Sequence, residues 1–211
     1  MQITPLSYAK PTTTDIFTSR GLRRFLIDEK TIETDEGDRK RRNLIENLQG
    51  VFNAWVQEVY RRKHYQDDEG SSSASAYIYT FGSFRLGAYG PEDDIDSLCL
   101  CPNFVDRDTD FFGTLFDKLQ RMPNMNSAVI DISFSTLNRA VLPPSNELNL
   151  NEEGILRGLD PKSAISLNGA RNTDKILNVV KDSLHRKDDN ETRQAQDSFV
   201  DALRLIKLWA R

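Results

Sequence analysis

The first sustained pattern in the chain is apolar. Leu44, Ile45, Leu48, Val51, Phe52, Trp55, Val56 and Val59 recur at steps of three and four residues, which marks one broad face of a long helix. Thr34-Asp-Glu-Gly-Asp38 supplies its start, an acidic run suited to the positive end of a helix dipole. Upstream, Ile16, Leu22, Phe25 and Leu26 predict a shorter helix capped by Thr14 or Asp15, and residues 1–14, rich in Pro and Thr, read as an extended arm. Gln66 to Ala76 (QDDEGSSSASA) has no period and reads as a connector.

After the connector the period changes. Tyr77 to Phe81 predicts a first strand, and Ile95 to Cys101 a second that is apolar on both faces and so buried on both. Phe104 to Gln120 predicts a turn capped at Asp108 or Thr109, then a helix with Phe111, Phe112, Leu115, Phe116 and Leu119 facing inward. Arg121 to Ser127 is a polar turn, and Ala128 to Ser135 a third strand in which Asp131 stands between apolar neighbours. Asn146 to Leu159 is polar and poorly periodic, and Asp160-Pro161 opens a short helix by cap and first-turn proline. Leu167-Asn168-Gly169 reads as a turn, Thr173 or Asp174 as the cap of a helix over Lys175 to Leu184, and Lys187 to Asp197 as a charged linker. A final helix, Ser198 to Arg211, puts Phe199, Leu203, Ile206 and Ala210 on one face and runs to the last residue with no glycine stop, the pattern expected of a fragment of a longer protein. The fold class predicted is α+β.

Composition narrows the function. A length of 211 residues suits one domain, or one domain and part of another. No run approaches the roughly 18 apolar residues of a membrane span, and MQITPLSYAKP lacks the apolar core of a secretory signal. Cys99 and Cys101 sit two apart on one strand face, poor geometry for a disulfide, and read as small buried hydrophobes. The net charge of −4 argues against a protein that wraps nucleic acid with its whole surface. The basic groups Arg39 to Arg42 and Arg61 to Lys63 fit either phosphate contacts or a solvated helix face.

The candidate chemistry lies between Tyr79 and Cys101, YTFGSFRLGAYGPEDDIDSLCLC. Asp94 and Asp96 are one residue apart at the start of a strand, so both project from the same face, about 7 Å apart along the chain. Such carboxylates repel each other unless a divalent cation lies between them, and hard cations such as Mg²⁺ prefer oxygen ligands. An Asp-x-Asp pair alone is also common in solvated turns. Joined to Gly82-Ser83, a turn where a phosphate can approach the backbone, it becomes a coherent pair of phosphate and metal elements. Asp131 adds a third carboxylate. In a buried strand it needs a partner, for which a shared metal is suitable, and on an edge strand it can simply face water.

The run FGSFRLGAYGPEDDIDSLCLCPNFVDRDTDFF resembles the signature of eukaryotic poly(A) polymerases, members of the nucleotidyltransferase superfamily. PTTTDIF, the segment Leu167-Asn168-Gly169-Ala-Arg171-Asn-Thr173-Asp174, and Ala202-Leu-Arg-Leu-Ile-Lys207-Leu-Trp209-Ala are also similar to that family. The resemblance implies a palm, a small mixed sheet flanked by helices, over residues 39–174, with residues 1–38 and 175–211 as an N-terminal arm and part of a central helical domain. It implies template-independent transfer of AMP from ATP to an RNA 3′-hydroxyl with release of pyrophosphate, by a two-metal mechanism with two Mg²⁺ or Mn²⁺ ions held by Asp94, Asp96 and Asp131. Phe81, Gly82 and Ser83 would cradle phosphates, and Asn168 and Lys207 would hold the nucleotide. Its implied setting is the nucleus, with polyadenylation-complex proteins as partners and no membrane. The chain departs from the family between Gln120 and Asp131, where only about ten residues stand for a longer insert that includes another strand and the apolar segment next to the adenine. That shortening keeps open a second reading, a catalytically incomplete relative acting as a binding or scaffolding module; within the enzyme class, terminal uridylyltransferases and CCA-adding enzymes are the nearest competitors.

Overall fold

A computed structural model describes residues 9–64, 73–122, 130–184 and 189–210. The fold is built on β2 (Ile95–Cys101), the middle strand of a mixed three-stranded sheet among the described residues. β1 (Tyr77–Thr80) pairs with it antiparallel, and β3 (Ile130–Thr136) pairs with it parallel. Six of the seven β2 residues are buried, as its apolar composition predicts, and the exception is Asp96. Alternation divides the rest between two cores. Cys99 and Cys101 face one cluster with Leu48, Phe52, Trp55, Val56 and Val59 of helix α2 (Asp35–Lys63). Leu98 and Leu100 face another, closed by Leu167 and Ala170 of helix α6 (Pro161–Leu184) and by the irregular stretch that carries Leu142, Leu148, Leu150 and Ile155. The sequence reading marks Asn146 to Leu159 as polar, yet it buries Leu148, Leu150 and Ile155 without forming a helix or strand.

The helix α2 follows its predicted apolar stripe and is capped by Thr34, whose hydroxyl accepts the Gly37 N–H. It also protects the exposed edge of the sheet. Gln49 donates to the Ala76 carbonyl and accepts from the Ile78 N–H at 2.7 and 2.9 Å, so one side-chain amide substitutes for a neighbouring strand. Its basic ends are paired within the protein. Arg41 is buried against Glu33 and the Gly90 and Pro91 carbonyls, and Arg62 and Lys63 both reach the buried carboxylate of Asp110. Cys99 and Cys101 are free thiols with Sγ atoms 3.6 Å apart, and burial pushes the Cys101 thiol far up.

Several element boundaries differ from the sequence reading. Helix α1 (Thr13–Asp28) is capped by Thr12 rather than Thr14 or Asp15, and Asp15 instead closes a reciprocal capping box with Thr12. The predicted helix after Phe104 starts from an Asp106 cap, as a π-wound segment α4 (Arg107–Leu115) that continues into α5 (Phe116–Gln120). The wider winding rotates Phe112 and Phe116 outward, so both are more than half exposed rather than inward. Leu167-Asn168-Gly169 is no turn. It lies inside α6, which runs unbroken through Thr173 and Asp174, so neither residue caps a helix. The last helix, α7 (Asp189–Trp209), begins well before Ser198 and absorbs most of the predicted charged linker, with Ile206 and Trp209 exposed. Residues 1–8, much of the 66–76 connector, most of the turn before β3 with Ala128 and Val129, and Lys187 lie outside the described residues.

Candidate active site

Parallel pairing of β2 and β3 sets Asp96 directly beside Asp131, each the second residue of its strand. Residues opposite each other in such a pair share a face, and Asp94 joins them from the residue before β2. The three carboxylates offer oxygens within 4.8 Å of one another. Two aspartates separated by one residue in the chain and a third that follows some 35 residues later thus meet at one point. Asp94 and Asp96 are half-buried and Asp131 is exposed, the second of the two settings its strand pattern left open. Among the described residues β3 is an edge strand, and its carboxylate has both water and the other two aspartates as neighbours.

The electrostatics fit the geometry. Burial raises the Asp96 carboxyl above its ordinary value, the charges of Asp94 and Asp131 push it further up, and Lys207 alone pulls it back. An oxygen-only set of three acidic groups with uncompensated mutual repulsion suits a hard divalent cation.

Gly82 stands two residues past the end of β1, next to this cluster. Phe81 continues the β1–β2 ladder by donating its N–H to the Asp96 carbonyl at 3.0 Å, and at Gly82 the chain turns with φ +60° into a short helix, α3 (Gly82–Leu86). A Cβ at position 82 would lie 2.2 Å from Asp96 Oδ2, so the absence of a side chain is what lets the carboxylate sit there. Ser83 is half-buried in the first turn of α3 but does not cap it; the cap position is Phe81, with no side-chain bond.

The turn is fixed from α6. Thr173 Oγ1 accepts the Gly82 N–H at 3.1 Å, and the Phe81 ring lies over Gly169, where a Cβ would come within 2.6 Å of it. Arg85 and Asp174 add a half-exposed ion pair at 3.6 Å. Asn168 is exposed on the same helix. Lys207, on α7, places its ammonium 2.8 Å from Asp93 Oδ2. Gly169 and Thr173 enter the sequence reading as a turn, a helix cap and part of the family-like segment, and Asp93 is given no role there, yet the three hold the ring, the turn and the lysine in place. Thr173→Val is expected to leave the Gly82 N–H unpartnered and lower stability by about 1–2 kcal/mol, a drop of several degrees in the thermal midpoint, with Thr173→Ser close to wild type.

The comparisons with known proteins point the same way. The profile of the poly(A) polymerase nucleotidyltransferase domain matches residues 3–129 and 123–180. The chain belongs to that family. Among curated relatives, a poly(A) polymerase of Dictyostelium discoideum is 34% identical over 225 aligned positions, which cover 98% of this chain and 26% of the relative. Nuclear poly(A) polymerase 2 of Arabidopsis thaliana is 31% identical with the same coverage, and poly(A) polymerase PAPalpha of Candida albicans is 30% identical, with 37% of its length covered. This nucleotidyltransferase domain therefore spans about a quarter to two-fifths of the length of the curated relatives it matches. The family match falls into two segments that overlap at residues 123–129, and the alignments run over 225 positions for a chain of 211. A small mixed sheet flanked by helices is the fold expected of a nucleotidyltransferase palm. Among the described residues no helix is long and apolar enough to cross a membrane.

Proposed function

We propose that this chain carries the catalytic face of a polynucleotide adenylyltransferase, which moves AMP from ATP onto an RNA 3′-hydroxyl. The observation that carries the reading is the convergence of Asp94, Asp96 and Asp131 beside Gly82, in a chain that belongs to the family. In the reaction the 3′-hydroxyl oxygen bonds to the α-phosphorus of ATP, the bond from that phosphorus to the bridging oxygen breaks, and pyrophosphate leaves. The three aspartates would hold a pair of divalent cations, Mg²⁺ or Mn²⁺. Bound there, a divalent cation lowers the pKa of the attacking hydroxyl and offsets charge on the leaving group.

The chain's own side chains orient the nucleotide. The fixed turn Phe81-Gly82-Ser83 would present the triphosphate to the carboxylates. Because the Gly82 N–H is already donated to Thr173, the phosphate contacts of this turn fall to Ser83. Lys207 would supply positive charge to the phosphates and Asn168 a polar contact from α6. The catalytic unit is residues 39–174, with 1–38 and 175–211 as an N-terminal arm and part of a helical domain. The Arabidopsis relatives are nuclear poly(A) polymerases, which supports a nuclear setting; RNA ends and polyadenylation-complex proteins would be the partners.

The short segment before β3 favours a second reading, a relative that binds nucleotide or partner without completing transfer. Calorimetric titration of ATP with Mg²⁺ and with EDTA separates the possibilities. The expected result is binding at least about tenfold tighter with Mg²⁺, accompanied by AMP incorporation into an RNA primer. Metal-dependent binding without incorporation selects the scaffolding reading, and no metal-dependent binding removes both nucleotide readings.

A further inference from the structure

The loop between α3 and β2 is tied at both ends to α7. At one end the Arg204 guanidinium donates to the Gly87 carbonyl at 2.6 Å, and it is braced by Asp201, which also pairs with Arg23 of α1. At the other end Lys207 reaches Asp93. Between them lies a cleft of about 240 Å³ whose lining includes Gly90, Asp93, Arg204 and Lys207.

The two members of the Lys207–Asp93 pair differ in how firmly they are held. Asp93 Oδ2 accepts the Gly90 N–H at 2.8 Å, and the Asp93 N–H donates back to the Gly90 carbonyl at 3.2 Å. Its side chain is 12% exposed, whereas that of Lys207 is 38% exposed. The carboxylate is therefore anchored by its own turn, and the lysine is the member that gains order from the contact. An ammonium has three N–H donors, so one can bond Asp93 while others stay open to an incoming anion. Asp93 is also the residue before Asp94, which fixes the lysine relative to the carboxylate cluster.

We propose that Asp93 is a positioning residue, which pre-orders the Lys207 ammonium at the rim of the carboxylate cluster to receive the nucleotide's phosphates. The inference rests on the adenylyl-transfer reading above. Lysine is a flexible, strongly hydrated point charge, and one already held in place loses less freedom when it takes a phosphate than one that is free. Asp93 thus acts through Lys207 and touches no substrate itself.

A double-mutant cycle on Mg²⁺·ATP binding by the 211-residue chain, read by calorimetry, tests this. Asp93→Asn keeps an oxygen to accept the Gly90 N–H and removes the charge that holds Lys207, so it should fold with an unchanged thermal midpoint. Expected is a loss of about 3- to 10-fold in ATP affinity, partly restored in Asp93→Glu, and no further loss when Asp93→Asn is added to Lys207→Ala. Unchanged or tighter binding in Asp93→Asn, or losses that multiply in the double variant, overturns the role given to Asp93 and leaves the adenylyl-transfer reading standing. Should Asp93→Asn melt early, Asp93→Glu alone decides, since a carboxylate one methylene longer must still support binding through Lys207 and must lose its effect in the Lys207→Ala background. Absence of Mg²⁺-dependent ATP binding in the unaltered chain overturns the adenylyl-transfer reading and this inference with it.

Discussion

Asp96→Ala is expected to lower Mg²⁺-dependent AMP incorporation on the order of a thousandfold or more, without unfolding the protein. Asp96 is the central member of the cluster, one residue from Asp94 in the same strand direction and opposite Asp131 in register, so no neighbouring acid can replace it. Its removal also takes one negative charge from a mutually repelling group. The direction of the stability change follows from the raised Asp96 pKa. A carboxyl whose folded pKa lies above its unfolded value contributes stability that is fully present below the unfolded pKa and is lost as pH rises through the folded pKa. The metal-free protein should therefore lose this increment between acidic and neutral pH, and Asp96→Ala should flatten that part of the profile. Thermal midpoints over a pH series, with and without Mg²⁺, measure it. Added Mg²⁺ should raise the midpoint of the unaltered chain at neutral pH and do much less for the variant. Incorporation that survives the substitution would remove Asp96 from the metal site.

Much of this site was legible in the sequence because its signals are local. Asp94 and Asp96 share a face by strand alternation alone, and Gly82-Ser83 marks a turn by chemistry alone. The three-way meeting with Asp131 is not local. It depends on parallel pairing between β2 and β3, which no pattern in either strand specifies, and the family resemblance supplied the third carboxylate. The pattern around Asp131 fits a buried strand and an edge strand equally, and only the pairing decides: among the described residues β3 lies at the sheet edge and its carboxylate is exposed.

The largest misreading concerns α6. Asn168-Gly169 has the composition of a turn and Thr173-Asp174 that of a helix cap, so local propensity divides one helix into two. Packing overrides it. Ser163, Leu167, Ala170 and Thr173 are the buried positions, at steps of four, three and three. That stripe is helical, but two of its four members are polar and escape a search for apolar periodicity. They are polar because each makes a bond that joins α6 to the sheet. The Ser163 hydroxyl accepts the Thr136 N–H of β3 at 3.4 Å, and the Thr173 hydroxyl accepts the N–H of Gly82 just past β1. Gly169 belongs to the same logic, since only a residue without a side chain admits the Phe81 ring. The π-wound start of α4 is equally hidden, because the apolar spacing of Phe111, Phe112, Leu115 and Phe116 fits an α-helix and the wider turn is what exposes Phe112 and Phe116. Features that join the site to its scaffold thus run against local preference, and features that carry its chemistry agree with it.

Gly82→Ala should damage both the fold and the site, for two reasons that can be measured apart. At φ +60° an alanine is strained whatever space surrounds it, at a cost of about 1–2 kcal/mol. The new Cβ would also stand 2.2 Å from Asp96 Oδ2 and 3.1 Å from its Cγ, so the carboxylate must swing out of the cluster or the turn must shift. Together these should cost about 2–4 kcal/mol and lower AMP incorporation by about a hundredfold or more. Asp96→Ala separates them. It removes the two crowded atoms and leaves the Asp96 Cβ, 3.5 Å from the new methyl, at ordinary contact distance. In that background Gly82→Ala should cost only the backbone strain, so its penalty falls by roughly half. Denaturant midpoints for the four proteins of the cycle provide the numbers. An equal penalty with and without the Asp96 carboxylate would show that the methyl group never meets it, and the close fit between phosphate turn and metal strand would not exist.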